Sequence, residues 1–565
     1  MPANHTDVVH RVDGRLGGRA EPMRVIDLYS GVGGWTLGLR MAGFQVVRSY
    51  EWWAQANRTY ETNFASAPLE ADIRSLPLDA FPKDVDVIVG SPPCTQFSFA
   101  NRGGNGDIAD GLKDIHKFLE VVEYVRPKHW VMENVPRVAG ILERELSIGG
   151  SLERFSDLVE VITVEDMSEF GLPQRRRRMI AGSFPFGGLE KYRGRVQPPT
   201  LGQVISNLGS DPVVDPIYGL ELEPAQLRDH VAETALDEEE VRLNRDAKQY
   251  HHYCNIMTFP DPLDRPARTV TALCTRVSRE SIVVEPERGQ LRRLTLRERA
   301  TLQGFPITFQ FDGDSYSDKL KQVGNAIPPL FVYYVAQSIR GRSADDLPEA
   351  TDIPYRHPLP AELPPEIEPK PPRGHYPETR RFRTVIPGLR FGSGVRFDFA
   401  NEFEGDEVSW RVTFFYGTSK HIHRITPQPT FLERVAGWSS SAAVLEQLTE
   451  GARRIEEEFG DLTAERLQEV WSRRKHGVHP HRFADRLGEL ADELHDQIPS
   501  ADRGRIEETT LGWLRSQRPE SRTYLNNSSK MRKIASRVFV GLLVGAWLNS
   551  GAALTIEEPE LASAG

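Results

Sequence analysis

The stretch DLYSGVGGWTLGL, residues 27–39, decides the fold class of the chain. It joins the apolar run RVIDL to a helical pattern through three glycines, Gly31, Gly33 and Gly34. Glycines at a strand-to-helix junction let the backbone turn tightly and approach a ligand at the helix N-terminus. A tight turn without a ligand explains such a motif as well when it stands alone, so its neighbours must decide whether a ligand is bound.

The same pattern recurs through the first half of the chain. Short apolar runs end in turns or acids, and helical stretches such as residues 36–42, 53–63 and 112–125 lie between them. The further runs are FQVVRSYE (44–51), VDVIVGSPP (85–93), HWVMENV (129–135) and RMIAGSF (178–184). Strands that alternate with helices predict an α/β fold with a doubly wound, mostly parallel, Rossmann-like sheet. Ligands bind beyond the carboxyl ends of the strands in such sheets.

Composition excludes several classes of protein. The net charge of -10 argues against a protein that coats nucleic acid, although QRRRR, residues 174–178, predicts a local basic cleft. The apolar run at 538–548 is shorter than the roughly 20 residues that cross a bilayer and predicts a buried helix. Three cysteines cannot form a disulfide framework, and no apolar signal region opens the chain. We therefore expect a cytoplasmic protein with no membrane contact.

Changes of pattern divide the chain into six segments. They are an N-terminal tail (1–23), a first part of the α/β domain (24–184), an irregular domain (185–291), a return to the α/β domain (292–342), a Pro- and acid-rich linker (343–377) and a C-terminal domain (378–565). The irregular domain contains a helical stretch at 236–249 and the strand ARTVTAL at 267–273, and QVGNA, 322–326, predicts a glycine turn before a helix. The linker is expected to be extended rather than packed. The C-terminal domain is expected to be α+β, with a hairpin around EGD at 404–406 followed by helices.

Cys94 stands in GSPPCTQFS, residues 90–98, directly after Pro92 and Pro93. The two prolines disfavour helix and ladder conformations, which predicts a rigid loop at the ligand edge of the sheet. Nearby arginines stabilise a thiolate, the reactive form of cysteine. An isolated cysteine is ordinarily a small core residue, but this position in the fold indicates a nucleophile.

Acidic side chains stand at the ends of predicted strands and after the helix that follows Glu51. Glu51 is placed to bind ribose hydroxyls, and Asp72 to accept the amino group of an adenine. Together with the glycine turn they favour a nucleoside-bearing cofactor over a purely structural turn. Glu133, in ENV, ends the strand after the Cys94 loop. An exposed glutamate is the ordinary interpretation, but a carboxyl beside a nucleophile can hold a proton for a ring nitrogen.

Taken in order, these motifs resemble those of the DNA (cytosine-5) methyltransferases. The series is DLYSGVGG, EWW, ADI, SPPCTQFS, MENV, PQRRRR, RRLTLRERATLQGFP and QVGNA, between about residues 24 and 340. The resemblance implies a restriction–modification or host-defence enzyme that uses S-adenosylmethionine and no metal and acts on double-stranded DNA, with a target-recognition domain at 185–291. A cognate restriction endonuclease is a possible partner, and the oligomeric state stays open.

The resemblance also implies individual roles. The cofactor contacts are Tyr29 and Trp52 at the adenine, Gly31 and Gly33 under the methionine part, Glu51 on the ribose, Asp72 and Ile73 reading the adenine, and Asn325 of GNA. The implied catalytic residues are Cys94, which adds to carbon 6 of an extruded cytosine, Glu133, which neutralises ring nitrogen 3, Arg178, which binds the exocyclic oxygen, and Arg176, which supports the loop. The implied substrate contacts are Thr95, Ser98 and Gln174.

Two departures and three alternatives accompany the resemblance. Tyr29 replaces the usual phenylalanine, and Thr95 replaces a glutamine that helps to fill the gap left by the extruded base. A tRNA cytosine-5 methyltransferase and a non-catalytic DNA-binding regulator share this fold. In the C-terminal domain, the candidate groups for a fused nuclease are Asp398, Glu402, Asp406, Glu407 and Lys420. The histidines His421, His423, His476, His479 and His481, and the group His251, His252 and Cys254, are interpreted as surface or structural residues rather than metal ligands.

Overall fold

The computed structural model describes residues 21–97, 106–249, 257–371, 374–392, 394–418, 421–438, 441–460, 462–517, 525, 528–551 and 554. The chain divides into two compact units, Met1–Ala247 with Thr258–Pro371, and Lys248–Met257 with Pro372–Gly565. The predicted substrate residue Ser98 lies outside the described residues, as do Lys420 and the group His251, His252 and Cys254.

The first unit contains the predicted α/β domain. Its helices and strands, in chain order, are β1 (Arg24–Leu28), α1 (Gly34–Met41), β2 (Gln45–Glu51), α2 (Ala54–Phe64), β3 (Leu69–Glu70), β4 (Val87–Gly90), α3 (Ile108–Val125), β5 (His129–Asn134), α4 (Arg137–Leu146), β6 (Val161–Asp166), β7 (Gln174–Arg175), β8 (Arg177–Ser183), α5 (Phe186–Glu190), α6 (Leu201–Leu208), β9 (Val213–Val214), β10 (Glu221–Leu222), α7 (Glu238–Gln249), β11 (Ala267–Arg268), β12 (Val283–Glu287), β13 (Gln290–Arg293), α8 (Leu296–Leu302), α9 (Tyr316–Asn325) and α10 (Pro329–Ile339).

A seven-stranded sheet in the order β3-β2-β1-β4-β5-β8-β6 forms the centre of this unit. All neighbouring pairs are parallel except those of β8, which runs antiparallel to both β5 and β6. The prediction of a mostly parallel, doubly wound sheet is confirmed, and the five predicted strands are all present. The additional strands are the two-residue β3 and the partly exposed β6.

The central strands are hydrophobic on both faces. In β4, Val87 and Val89 belong to one hydrophobic core, whereas Ile88 belongs to the core on the other face. Successive side chains of a strand point to opposite faces, so a continuous apolar run fits a strand covered by helices on both sides. This arrangement buries the middle of the sheet and leaves its carboxyl edge to form a site.

Two sequence expectations in this unit are wrong. The strand predicted at 267–273 is limited to Ala267–Arg268, which pairs in parallel with β7. The glycine turn predicted at QVGNA is absent, because Gly324 lies in the last turn of α9. A Cβ at Gly324 would lie 2.3 Å from the Cα of Ala272, so this glycine permits a close approach of backbones rather than a turn. The helix predicted at 236–249 is confirmed as α7.

The predicted linker is packed at several points between residues 353 and 365, which contradicts the expectation of an unpacked segment. Ile353 and His357 are 1% and 2% exposed. Thr308 Oγ1 donates to the carbonyl of His357, and Lys319 Nζ donates to the carbonyl of Pro365. The segment also contains two short 3-10 helices, Ala344–Asp346 and Ala350–Asp352, so it is not extended throughout. Proline content did not predict that the side chains of Ile353 and His357 would be buried.

The second unit has a four-stranded antiparallel sheet, β14-β15-β16-β17, followed by helices. Its elements are β14 (Arg383–Arg390), β15 (Arg396–Glu404), β16 (Glu407–Thr418), β17 (His421–Ile425), α11 (Thr430–Ala436), α12 (Ala442–Phe459), α13 (Ala464–Trp471), α14 (Pro480–Asp496), α15 (Arg503–Gln517) and α16 (Ser529–Asn549). The hairpin predicted around EGD is confirmed by the pairing of Glu404 with Glu407. The run at 538–548 lies in the buried part of α16, as predicted. Across the described ranges, the structure has no helix with the length and apolar character to span a membrane.

Among the candidate nuclease residues that the structure describes, Asp398 lies apart from the acids of the hairpin turn. Asp398 is 1% exposed and is held by Arg396 at 2.9 Å and Arg383 at 2.6 Å, so that each carboxylate oxygen has a cationic partner. It is also six residues from the hairpin turn, about 20 Å along the strand. Among the described residues, no group of three or more His, Cys, Asp or Glu side chains is arranged to hold a metal ion. His481, expected at the surface, is 3% exposed and lies against Phe382.

Candidate active site

The strand order brings Cys94 and Glu133 to the same edge of the sheet. β4 and β5 are parallel neighbours, so the loop after Gly90 and the end of β5 leave the sheet side by side. β8 is antiparallel to β5, and Asn134 is registered with Met179. The carboxyl end of β5 therefore meets the amino end of β8, which carries Arg178.

The loop that carries Cys94 is fixed by its neighbours. The side-chain amide of Asn134 donates to the carbonyl of Pro92 at 3.0 Å, and Trp35 Nε1 donates to Ser91 Oγ at 3.0 Å. Beyond the cysteine, the backbone N–H of Phe97 donates to the carbonyl of Cys94. The prolines remove backbone donors from this loop, and the side chains of neighbouring elements hold it.

Glu133 and Arg178 form an ion pair next to Cys94. Arg178 Nε lies 3.0 Å from Glu133 Oε1, and the two side chains are 14% and 7% exposed. Burial raises the pKa of the Cys94 thiol, and the negative charge of Glu133 raises it further, whereas Arg178 and Arg176 lower it. Burial is the largest of these effects, and the charge on Glu133 adds to it, so both favour the protonated thiol.

The arginine run QRRRR alternates between two directions. Arg175 and Arg177 are exposed, whereas Arg176 is 1% exposed and Arg178 points to Glu133. Arg176 donates to the carbonyls of Val270, Gly324 and Ala326 at 3.0 to 3.2 Å. It thus joins its own strand to two other segments, the one at Val270 and the end of α9.

The position of Gln174 contradicts its predicted contact with the substrate. Gln174 has no exposed surface, and its side-chain amide donates to the carbonyl of Leu302 and to Gln303 Oε1. Its oxygen accepts the backbone N–H of Val270 at 2.6 Å. A buried amide must satisfy its own donors and acceptors, and Gln174 does so entirely inside the protein, where it positions the segment at 270.

Glu51 holds the glycine turn. Its Oε2 accepts the N–H of Gly31, and its Oε1 accepts the N–H groups of Trp52 and Trp53, all at 2.9 Å. Burial raises the pKa of Glu51, although these three donors act in the opposite direction. A carboxylate has about four acceptor sites, so one remains for a hydroxyl group of a ligand.

A cavity of about 260 Å³ lies beside this turn. Its lining residues are Tyr29, Trp52, Ala71, Asp72, Ile73, Arg74, Pro93, Thr95, Gln96, Asp110 and Asp114. Trp52 is 66% exposed, which is unusual for so large an apolar side chain, and its ring is available for stacking. Four of the predicted cofactor residues and the loop of Cys94 thus share one cavity. The donor set, an indole ring with carboxylates at the sheet edge, fits a nucleoside.

Three lining residues form an ion-paired group that the sequence interpretation missed. Arg74 pairs with Asp114 at 2.5 Å and with Asp110 at 3.0 Å. The hydroxyl of Tyr29 donates to Asp114, 3.3 Å to the carbonyl oxygen and 3.4 Å to the carboxylate. The signal in the sequence was the tyrosine itself, because a hydroxyl on a buried ring requires a partner.

A buried carboxyl lies in β1, the strand that precedes the glycine turn. Asp27 has no exposed surface and accepts a hydrogen bond from Thr36 Oγ1 at 2.8 Å, and Thr36 contacts the hydroxyl of Tyr60. Burial, with the nearby charge of Glu51, raises the pKa of Asp27 to about 8. An acid in the middle of a β-branched strand was the sequence signal for this group.

The remaining predicted residues lie at the margins of the site. Gly31 and Gly33 both adopt positive φ, 52° and 91°, which explains the requirement for glycine in this turn. Asn325 is exposed at the end of α9 and does not line the cavity, but Ile327, two residues later, places its carbonyl against Gly34. Thr95 is exposed and lines the cavity.

Comparison with known proteins agrees with this geometry. Residues 23–341 match the family model described as C-5 cytosine-specific DNA methylase. Relatives include the type II methyltransferase M.HindV of Haemophilus influenzae, 28% identical over 56% of this chain and 96% of its own length. M.AplI of Arthrospira platensis is 30% identical over 60% of this chain and 91% of its own length. M1.HphI of Haemophilus parahaemolyticus is 30% identical over 56% of this chain and 86% of its own length.

Similar solved structures include Dnmt2 methyltransferase of S. pombe and the methyltransferase EhMeth of Entamoeba histolytica. The first has a TM-score of 0.41 at 19% identity and covers 56% of this chain and 99% of its own. The second has a TM-score of 0.41 at 15% identity, and its alignment covers 58% of this chain and 100% of the EhMeth chain. The family match ends at residue 341, before the larger part of the second unit, which begins at Pro372.

Proposed function

The chain belongs to the C-5 cytosine-specific DNA methylase family, and on this premise we propose that it transfers a methyl group from S-adenosylmethionine to carbon 5 of cytosine in double-stranded DNA. The observation that supports the proposal best is the buried pair of Glu133 and Arg178 beside Cys94. These three groups supply a nucleophile, a proton holder and a cation within one edge of the sheet.

The cavity beside the glycine turn is the proposed place for the cofactor. Trp52 would stack on the adenine, Asp72 and Ile73 would read its edge, and Glu51 would accept a ribose hydroxyl. When bound there, S-adenosylmethionine supplies the methyl group that carbon 5 of the activated cytosine accepts. Tyr29, Gly31 and Gly33 would form the wall next to the first strand.

Cys94 is the proposed nucleophile, and its Sγ would form a bond to carbon 6 of the ring. This addition removes the aromaticity that makes carbon 5 unreactive, which is covalent catalysis. Burial keeps the thiol protonated at rest, so ionisation must be favoured when the substrate arrives. Loss of the carbon-5 proton later breaks the bond between carbon 6 and the sulfur.

Glu133 is proposed to share a proton with ring nitrogen 3 of the cytosine. This proton neutralises the charge that the thiolate pushes into the ring. The proton comes from the Cys94 thiol: Glu133 takes it up as the thiolate forms and passes it to nitrogen 3 as the sulfur bonds to carbon 6. While Glu133 holds the proton, its carboxyl no longer disfavours the thiolate. Arg178, held at 3.0 Å from Glu133, would donate to the exocyclic oxygen on the same side of the ring.

A cytosine stacked in a duplex cannot reach the Cys94 loop, so we propose that the enzyme extrudes its target base, at a cost of a few kcal/mol. Residues 185–291 are the proposed target-recognition region that reads flanking bases. Because the relatives are named type II methyltransferases, a protective role beside a restriction endonuclease fits this chain.

Methyl transfer from tritiated S-adenosylmethionine onto duplex DNA and onto tRNA tests this function. We expect label on DNA, and label on tRNA alone would assign the chain to RNA modification instead. DNA that contains 5-fluorocytosine at the target should trap a covalent adduct, because the fluorine blocks the final elimination. Absence of an adduct under conditions in which the cofactor binds would favour a non-catalytic DNA-binding protein.

A further inference from the structure

Two segments of the second unit pack together and carry an excess of positive charge. They are residues 375–383, which reach the start of β14, and residues 471–475, at the end of α13. The backbone N–H of Tyr376 donates to the carbonyl of Ser472 at 3.0 Å, which joins the two segments. Within them stands one carboxylate, Glu378. The cations, whose surface we call the basic patch, are Arg380, Arg381, Arg383, Arg473, Arg474 and Lys475.

Aromatic rings hold two of these arginines in place. The guanidinium carbon of Arg380 lies 3.6 Å from the ring centre of Trp471 and 3.7 Å from that of Tyr376. The guanidinium carbon of Arg473 lies 5.5 Å from the centre of the Tyr376 ring. Contact between a cation and an aromatic face orients a guanidinium group without neutralising its charge. The rings therefore position positive charge on this surface.

Three other cations of the basic patch form ion pairs and stay accessible. The pairs, of 2.6 to 2.8 Å, join Arg474 to Glu378, Lys475 to Glu469 and Arg383 to Asp398. The side chains of these three cations are still 44% to 50% exposed. Ion pairs at such exposure contribute little to stability, so the cations can contact another anion at small cost. Six cations and three carboxylates leave the patch positive, in a chain whose net charge is -10.

Arg473 adopts a backbone conformation that favours glycine. Its φ is 56°. Its N–H donates to the carbonyl of Val470, and the N–H of Arg474 donates to the carbonyl of Glu469. This pair of bonds is a helix-capping motif that commonly has glycine at the left-handed position. A residue with a Cβ is strained there, and such strain is concentrated at functional sites. An arginine in this place indicates that its side chain contacts a partner.

The positive charge continues on the face of the sheet that points away from α16. Val412 packs against α16, so Arg411, next to it in β16, points to the opposite face. Ala400 is registered with both Arg411 and Arg383, which places these two arginines on the same face. Their side chains are 46% and 48% exposed. The charged surface is therefore extended, as a polymeric ligand requires.

We propose that the basic patch of the second unit binds the phosphate backbone of duplex DNA, independently of base sequence, and so raises the affinity of the chain for its substrate. An extended positive surface on an acidic chain complements a polyanion, and a duplex presents phosphates at regular spacing. The inference rests on the proposed function, because that function makes duplex DNA the substrate of the same chain. Phosphate contacts position a protein on DNA but read no sequence. The patch should therefore lower KM for DNA without changing kcat.

Arg473→Gly separates DNA binding from folding. Glycine removes the charge and the backbone strain together, so the full-length variant should unfold at the wild-type temperature or above it, whereas its affinity for duplex DNA should fall. Arg126→Gly is the matched control. Arg126 is also an exposed left-handed arginine, with φ 57°, at the end of α3 and before β5, on the amino edge of the sheet of the first unit. Its replacement should leave DNA binding unchanged.

Fluorescence anisotropy on a duplex of about 40 A·T pairs, which contains no target cytosine, measures the affinity between about 50 and 200 mM salt. The slope of log affinity against log salt should become shallower by about 0.9 for Arg473→Gly. A triple variant, Arg381→Gln with Arg473→Gly and Lys475→Gln, should lose roughly 2 to 3 in slope. On cytosine-containing duplex DNA it should raise KM by at least about tenfold, with kcat within about twofold.

An unchanged slope and KM in the triple variant would overturn the proposal, as would an equal loss of affinity on Arg126→Gly. If Arg473→Gly unfolded at a lower temperature, the double variant Arg381→Gln with Lys475→Gln would decide in its place, with an expected loss of about 2 in slope. Weaker binding of poly-glutamate with unchanged DNA binding would assign the patch to an acidic protein. Lack of methyl transfer by the wild-type protein, with DNA binding that still depends on the patch, would overturn the proposed function alone.

Discussion

Arg178 Nε lies 3.0 Å from Glu133 Oε1, which joins the proposed proton holder to the cation beside it. The pair forms because β8 runs antiparallel to β5, so that the start of one strand meets the end of the other. Cys94 is affected by both charges, in opposite directions. Burial has the largest effect on the pKa of this thiol, and the two charges adjust it in opposite directions.

Glu133→Gln should make Cys94 more reactive toward alkylation while abolishing methyl transfer. Removing the negative charge lowers the pKa of the thiol, and only the thiolate reacts with iodoacetamide, so alkylation near pH 7.5 should accelerate by about threefold to tenfold. Methyl transfer should fall by about 10² or more, because the amide cannot supply a proton. Mass spectrometry of the Cys94 peptide measures the first effect.

Glu123→Gln, at a half-exposed position on α3, serves as the control and should leave both rates unchanged. Slower alkylation of the Glu133→Gln protein would mean that Glu133 does not disfavour the thiolate.

Asp27→Asn should change how stability depends on pH. The folded protein holds the Asp27 proton up to about pH 8, whereas the unfolded chain releases it near 3.8. Because the folded state binds more protons between these values, this group lowers stability as the pH rises, by up to about 1.4 kcal/mol per pH unit. Relative to wild type, the variant should therefore gain stability steadily from pH 5 to pH 7. Urea unfolding at each pH measures this difference, with the exposed Asp79→Asn as control. If the free energy of unfolding changed with pH in the same way for Asp27→Asn and wild type, Asp27 would not hold a proton in the folded protein.

Asp114→Asn should weaken cofactor binding more than catalysis. The substitution breaks the 2.5 Å ion pair with Arg74, which forms part of the cavity wall. We expect KM for S-adenosylmethionine to rise by about fivefold to twentyfold with kcat within about twofold. Tyr29→Phe should change KM by less than about threefold, since its hydroxyl bonds are long, 3.3 and 3.4 Å. A fall in kcat alone for Asp114→Asn would contradict a role in the cofactor wall.

Gly324→Ala should destabilise the first unit. The new Cβ would lie 2.3 Å from the backbone of Ala272, which forces the 271–272 segment to move, at a cost of about 1–3 kcal/mol. Gly140→Ala is the matched control, because Gly140 lies in α4 with no atom within 4 Å of the new Cβ, and it should stabilise by roughly 0.5–1 kcal/mol. Thermal unfolding distinguishes them, and a Gly324→Ala protein as stable as wild type would show that the contact is not tight.

The sheet was predictable because its central strands are buried on both faces, as in Val87–Gly90, and each ends at a visible turn. β6 was not predictable, because most of its side chains are half-exposed and its apolar and polar residues do not alternate clearly. The prediction of a turn at Gly324 failed for a related reason. A glycine that is needed for close approach to Ala272 cannot be distinguished, in the sequence, from a glycine that is needed for positive φ.

At the site, Cys94 and Glu133 could be predicted because each lies at the end of its own strand. The side chains that contact Cys94 and Glu133 come from segments that are distant in the sequence. A local sequence pattern does not show which distant segments pair. The division of the arginine run into inward Arg176 and outward Arg175 follows from strand geometry, and the burial of Gln174 depends on a contact with Gln303, 129 residues away.

The central claim is that the sulfur of Cys94 bonds to the cytosine ring, and trapping on 5-fluorocytosine DNA tests it most directly. With S-adenosylmethionine present, the wild-type protein should form an adduct that survives denaturation and maps to the Cys94 peptide, and Cys94→Ser should form none and incorporate no methyl label. Methyl incorporation by Cys94→Ser at the wild-type rate, or an adduct that maps to Cys274, would contradict the account.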